Sequence, residues 1–234
     1  NWDNERVREG FDEILRFWLE LGVDGFRVDV AHSLVKAPGL PDDDADYRMI
    51  SGGQGPMWDQ DGVHEVYRRW RAILNEYDGE RILVAEAWVD DPDRLALYLR
   101  PDEMHTAFNF DFLTCEWDAD QYRAKIEASM EADEKVGAPT TWVLSNHDTM
   151  RHTSRLGRDD QPGVHKEFIG PDDPQPDEAL GLRRARAATM LELALPGSAY
   201  LYQGEELGLP DHTTLPHEYR QDPAWFQSNH EELG

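Results

Sequence analysis

The chain has 234 residues, enough for one sizeable core, and its 39% hydrophobic and 10% aromatic content excludes wholesale disorder. Acidic residues number 48 against 23 basic ones, and the formal charge of −25 argues against nucleic acid or an anionic membrane surface as partner. The single Cys115 excludes an internal disulfide and fits no metal-ligand spacing, and no apolar run reaches membrane-spanning length.

The chain opens at Asn1-Trp2-Asp3 without a Met and stops in a polar stretch from Gln227 to Gly234, so it is expected to be a slice of a longer protein. Val7, Phe11, Ile14, Leu15, Trp18 and Leu21 recur at helical spacing, with Asp3 or Asn4 as cap and Gly22 as stop. A short strand follows, Gly25–Asp29, in which Phe26 and Val28 alternate with Arg27 and Asp29. The two-residue period puts both charged groups on one face, where burial is costly unless they pair. Pairing keeps the carboxylate ionised, as a nucleophile requires, although a purely structural ion pair fits the same residues. Residues 37 to 62 lack periodicity and carry Asp42-Asp43-Asp44; a loop of that length often walls a binding site.

Val63, Val66, Tyr67, Trp70, Ile73, Leu74 and Tyr77 mark a second helix, and Ile82–Ala85 an apolar strand ending in Glu86-Ala87-Trp88. Asp91-Pro92 signals the start of a short helix through Leu99. Ala107 to Phe112 alternates as a strand, and residues 119 to 134 form a charged helix. Thr140–Ser145 is a strand closing in Asn146-His147-Asp148, and a Pro/Gly/Asp-rich loop covers about 157 to 176. A helix from about Glu178 to Leu195 breaks at Pro196-Gly197 before a last strand, Ser198–Tyr202.

Strict alternation of apolar strands with helices means an α/β chain with a covered parallel sheet. An open doubly wound sheet and part of a closed (β/α)8 barrel both fit. No Gly-rich phosphate loop opens a helix, and three strands end in acids, at 29, 86 and 147–148. The expected fold is therefore part of a TIM (β/α)8 barrel, with residues 1–234 as one partial catalytic domain.

An ionised Asp29 beside Arg27, and a Glu86 held protonated by an apolar setting, are the pair that retaining glycoside hydrolysis needs. Asp148 and His147 are suited to binding sugar hydroxyls, and 8 Trp and 8 Tyr suit sugar stacking. Each acid alone fits equally a solvated strand end.

The motifs themselves resemble a known family. Gly25-Phe26-Arg27-Val28-Asp29-Val30-Ala31-His32 is similar to the nucleophile segment of the alpha-amylase family, glycoside hydrolase family 13. Val84-Ala85-Glu86-Ala87-Trp88 resembles its acid/base strand, and Leu144-Ser145-Asn146-His147-Asp148 its third catalytic segment. Tyr200-Leu201-Tyr202-Gln203-Gly204-Glu205-Glu206 resembles its eighth-strand signature. Val63-His64-Glu65-Val66 and Phe108-Asn109-Phe110-Asp111-Phe112 point to bacterial exo-acting alpha-glucosidases.

The resemblance implies Asp29 as nucleophile with Arg27 as partner, Glu86 as acid then base, and Asp148 with His147 as glucose-binding groups. Arg151, in the Asn146-His147-Asp148-x-x-Arg pattern, borders the site. Endo-amylases carry a Lys-His pair where His32 and Ser33 stand here, which weakens an endo-acting reading. The implied activity releases glucose from short alpha-glucosides. A glucosyl-transferring or trehalose synthase-like relative is the alternative, and a catalytically inactive binding barrel the remoter one. The expected partner is a small oligosaccharide, in the cytoplasm. No cofactor is expected in this segment, and a structural Ca2+, if present, would belong to the absent part of the barrel. The five strands map to the fourth to eighth, so an isolated segment would expose two sheet edges and is expected neither to fold well nor to catalyse alone.

Overall fold

The computed structural model describes residues 1–42, 55–158 and 168–230; the expected acidic loop residues Asp43 and Asp44 lie outside them. Helix α1 (Glu5–Glu20) starts at Asn4, whose side-chain oxygen accepts the Arg6 N–H at 3.0 Å, one of the two expected caps. Then come β1 (Gly25–Val28), a 3-10 turn (Ala31–Ser33), α2 (Val63–Leu74) and β2 (Ile82–Ala85). Asp91 caps the short α3 (Pro92–Ala96), which tightens into a 3-10 turn at Leu97–Leu99. The remaining elements are β3 (Thr106–Ala107), α4 (Phe110–Leu113), α5 (Ala119–Val136), β4 (Thr141–Val143), α6 (His152–Arg155), α7 (Glu178–Ala194), β5 (Ser198–Tyr200) and α8 (Pro223–Gln227).

Five strands alternate with helices in the expected order. β1, β2 and β3 form a parallel sheet in that spatial order, with Val28 level with Ala85 and Ala85 level with Ala107; β4 pairs with β5. The strands expected at Gly25–Asp29, Thr140–Ser145 and Ser198–Tyr202 are each shorter by one to three residues, and a fourth is cut back further. Ala107 to Phe112 leaves the sheet after Ala107, because Asn109 Oδ1 accepts the Phe112 N–H at 2.9 Å and starts the turn of α4. An Asn side chain that satisfies a free amide three residues on favours a helix start over continued ladder pairing.

The residues group into two compact units. The first comprises Asn1–Phe112, Arg123–Trp142 and Pro196–Ser198; the second Leu113–Tyr122, Val143–Leu195 and Ala199–Gly234. The core of the first unit is built from the inner face of α1 (Leu15, Leu19), the buried face of α2 (Val63, Val66, Tyr67, Trp70, Leu74) and the apolar strand residues Val28, Leu83 and Ala85. Each large side chain fully buried there stabilises by roughly 1.5–3 kcal/mol. Arg69 on α2 bonds Glu5 at 2.6 Å and Asp12 at 2.6 Å on α1, fixing the crossing of the two helices.

β1 opens on Gly25 and β5 is immediately preceded by Gly197, and each glycine packs closely on a neighbouring main chain. A Cβ on Gly25 would lie 2.0 Å from the Ile82 carbonyl oxygen, and one on Gly197 2.0 Å from that of Thr140. The missing side chains let the strands approach closely enough for Ile82 N–H to reach Asp24 O and Ser198 N–H to reach Thr140 O, both at 2.9 Å.

Candidate active site

The register of the first sheet places Asp29 and Glu86 at adjoining strand ends. Val28 is level with Ala85, the Glu86 N–H donates to Val28 O at 2.9 Å, and the Ala31 N–H donates to Glu86 O at 2.7 Å. The Glu86 carboxylate turns back toward the same segment: its Oε2 accepts the Val30 N–H at 2.6 Å. The chain next to Asp29 thus contacts both the main chain and the side chain of Glu86.

Arg27 Nη1 donates to Asp29 Oδ1 at 2.7 Å, so the expected pair forms, but it is not buried. The Arg27 side chain is 38% exposed and that of Asp29 71%. β1 is an edge strand among the described strands, paired on one side to β2.

Glu86 is buried, 5% exposed, and burial raises its pKa. The Val30 amide and then Arg27 oppose that rise, the charge of Asp29 adds to it, and a hydrogen bond from Trp88 again opposes it. Two residues on, the Trp88 ring stacks on Phe110 at 3.8 Å and 9°, forming a flat aromatic wall. His32, whose role the motifs left open, has no exposed surface and stacks on Trp58 at 4.8 Å. Burial lowers its pKa to about 4, so the ring is neutral, and neither ring nitrogen has a hydrogen-bond partner among the described residues.

In the second unit, Asn146 Oδ1 accepts the Asp148 N–H and the Thr149 hydroxyl, each at 2.9 Å, which shapes the turn after β4. His147 Nε2 lies 3.2 Å from Asp148 Oδ2, and both side chains are exposed. Arg151 is held by three groups: its guanidinium lies over the Tyr202 ring at 4.7 Å, its Nη1 donates to Gln203 O at 2.7 Å, and its N–H donates to Asp211 Oδ2 at 3.0 Å. Arg27, Asp29 and Glu86 therefore meet within one unit, and His147, Asp148 and Arg151 within the other. A separate cavity of about 510 Å³ in the second unit is lined by His152, Thr189, Arg186 and Glu205 among others.

Two features escaped the sequence. The Val30 contact to Glu86 is made by a main-chain amide and has no side-chain signature. Glu192 and Glu205 are buried carboxylates whose surroundings push them up to about 8 and about 7, while their sequence context is a helical run and a motif. Among the described residues no group of three or more His, Cys, Asp or Glu is placed to hold a metal ion, and no helix is long and apolar enough to cross a membrane.

Comparison with known proteins adds a family context. The model of the alpha amylase catalytic domain matches residues 1–234. The chain is 30% identical over 226 residues to an oligo-1,6-glucosidase of Parageobacillus thermoglucosidasius, covering 89% of this chain and 36% of that protein. It is 31% identical over 239 residues to the trehalose synthase/amylase TreS of Mycolicibacterium smegmatis, covering 90% of this chain and 36% of that protein. The crystal structure of the alpha-glucosyl transfer enzyme XgtA superposes with a TM-score of 0.73 at 26% identity, covering 97% of this chain and 41% of that one. The chain thus spans little more than a third of the length of the relatives it matches.

Proposed function

The chain belongs to the alpha-amylase family, its fold is part of that family's (β/α)8 catalytic barrel, and on that premise we propose that the protein carrying it is a retaining glycoside hydrolase acting on alpha-glucosidic bonds. The observation that carries this reading is the placement of Asp29 and Glu86 at neighbouring strand ends, the first exposed and paired with Arg27, the second buried with a raised pKa. That is the division between nucleophile and acid that double displacement requires.

The Asp29 carboxylate attacks the anomeric carbon of a terminal glucose while Glu86 gives its proton to the leaving oxygen. A covalent beta-glucosyl ester forms on Asp29 and the shortened sugar departs. Glu86, now ionised, takes a proton from water, which attacks the same carbon and releases alpha-glucose with Asp29 regenerated. The motif assigns Asp148 and His147 to the glucose hydroxyls. Substrates are maltose and short malto- or isomalto-oligosaccharides; Val30 after the nucleophile, and the name of the oligo-1,6-glucosidase relative, favour acceptance of alpha-1,6 bonds.

Glucose-anomer analysis by NMR tests the mechanism, with alpha-glucose expected as the first product of an alpha-glucoside; beta-glucose would overturn retention. Asp29→Asn is expected to lower turnover by about 10³-fold or more, and a near-normal rate would remove Asp29 from the role. A second reading, glucosyl transfer or isomerisation, is favoured by the names of TreS and XgtA. Incubation with maltose alone separates the two, since hydrolysis yields only glucose and isomerisation yields trehalose.

A further inference from the structure

Val30 adopts φ 43° and ψ 47°. That left-handed conformation is ordinary for glycine and tolerated by Asn or Asp, but it is a steric outlier for a β-branched residue. A Val persists there only where its surroundings over-determine it. Here they do. The Val30 carbonyl accepts the Ser33 N–H at 3.0 Å and the Ser33 hydroxyl at 3.1 Å, and the Tyr67 hydroxyl donates to the Ala31 carbonyl one residue on.

The kink has a directional consequence. In an extended strand, successive N–H groups point to opposite sides. A left-handed residue brings them onto one side, as in the backbone concavities that receive anions. At this turn the Val30 N–H meets Glu86 Oε2 at 2.6 Å and the Ala31 N–H meets Glu86 O at 2.7 Å. Both amides following Asp29 are therefore spent on Glu86, one on its carboxylate and one on its main chain.

We propose that the left-handed turn at Val30 is a positioning device for Glu86: held against the preference of its own side chain by Ser33 and by Tyr67, it aims the Val30 amide at the carboxylate and fixes that group at the strand end beside Asp29. The proposal rests on the acid/base role given to Glu86 above. The hydrogen bond favours the ionised carboxylate and works against burial. The other groups acting on Glu86 are Arg27 and Trp88, which act in the same direction as Val30, and Asp29, which acts against them.

The test is the pH dependence of kcat/KM on an aryl alpha-glucoside, measured with the full-length protein. Tyr67→Phe removes the hydroxyl that holds the Ala31 carbonyl and loosens the turn, so the basic limb, where Glu86 loses its proton, is expected to move up by about 0.5 pH unit or more. kcat falls about tenfold, and more than KM changes. Val30→Gly adopts the left-handed conformation without strain and holds the limb at the wild-type position. Ser33→Ala, which removes the hydroxyl bond to the Val30 carbonyl, gives the same readout should Tyr67→Phe lose its fold. A limb that moves by less than about 0.2 unit in both Tyr67→Phe and Ser33→Ala overturns the proposal, as does one that moves as far in Val30→Gly. Glu86→Gln separates the proposal from the role it rests on. A basic limb that survives this change overturns the acid/base assignment, and the proposal with it. A limb abolished in Glu86→Gln yet unmoved in Tyr67→Phe and Ser33→Ala overturns the proposal alone.

Discussion

Glu192 offers a direct measure of what an unpaired buried carboxyl does to this protein. It lies on α7 with no exposed surface, and neither side-chain oxygen has a hydrogen-bond partner among the described residues. Burial, and then the charge of Glu205, push its pKa up to about 8 from the ordinary 4.5. The folded chain therefore holds the proton at pH values where the unfolded chain has released it. The stability contributed by this one proton is full below the unfolded value, falls as pH rises from 4.5, and is lost above about 8. At about 1.4 kcal/mol per pKa unit, the native state gives up about 3 kcal/mol between pH 5 and pH 8 through this one group. Glu192→Gln keeps the shape and removes the proton. Urea unfolding of both proteins at the two pH values reads Glu192 together with its coupling to Glu205, itself raised to about 7, while His152, lowered to about 4, and Asp133, raised to about 6, are common to both. The variant is expected to lose about 3 kcal/mol less than the wild type from pH 5 to pH 8. Parallel pH dependence in the two proteins would refute the reasoning.

Gly25→Ala places a Cβ 2.0 Å from the Ile82 carbonyl and must part β1 from β2, so a loss above about 3 kcal/mol in urea unfolding is expected, and a loss under about 1 would show that the strands can yield. His32→Phe replaces a neutral ring whose two nitrogens are unpartnered by an apolar ring able to keep the stack on Trp58. It is expected to leave the melting temperature unchanged or raise it, the gain reaching about 1 kcal/mol, and a clear drop would reveal a partner for the ring nitrogens.

Much of the fold was written locally. Asn4 and Asp91 are capping residues read correctly from their types, since a cap depends on amides two or three residues away. The alternation of apolar strands with helices specified a parallel α/β arrangement, and the order of the motifs around Asp29, Glu86 and Asp148 specified the family. The pairing of Arg27 with Asp29 also followed from a two-residue spacing.

Only the tertiary structure decided the rest, because burial and long-range contacts depend on what lies across the chain. The Arg27–Asp29 pair is exposed, which no local pattern states. The run from Phe108 to Phe112 alternates like a strand, yet Asn109 bonds forward to the Phe112 amide and ends the ladder. The left-handed Val30 contradicts the preference of its own side chain and is held by Ser33, Tyr67 and Glu86, the last 56 residues away. A sequence states which groups can ionise or donate; the packing of distant segments determines which face water and which face each other.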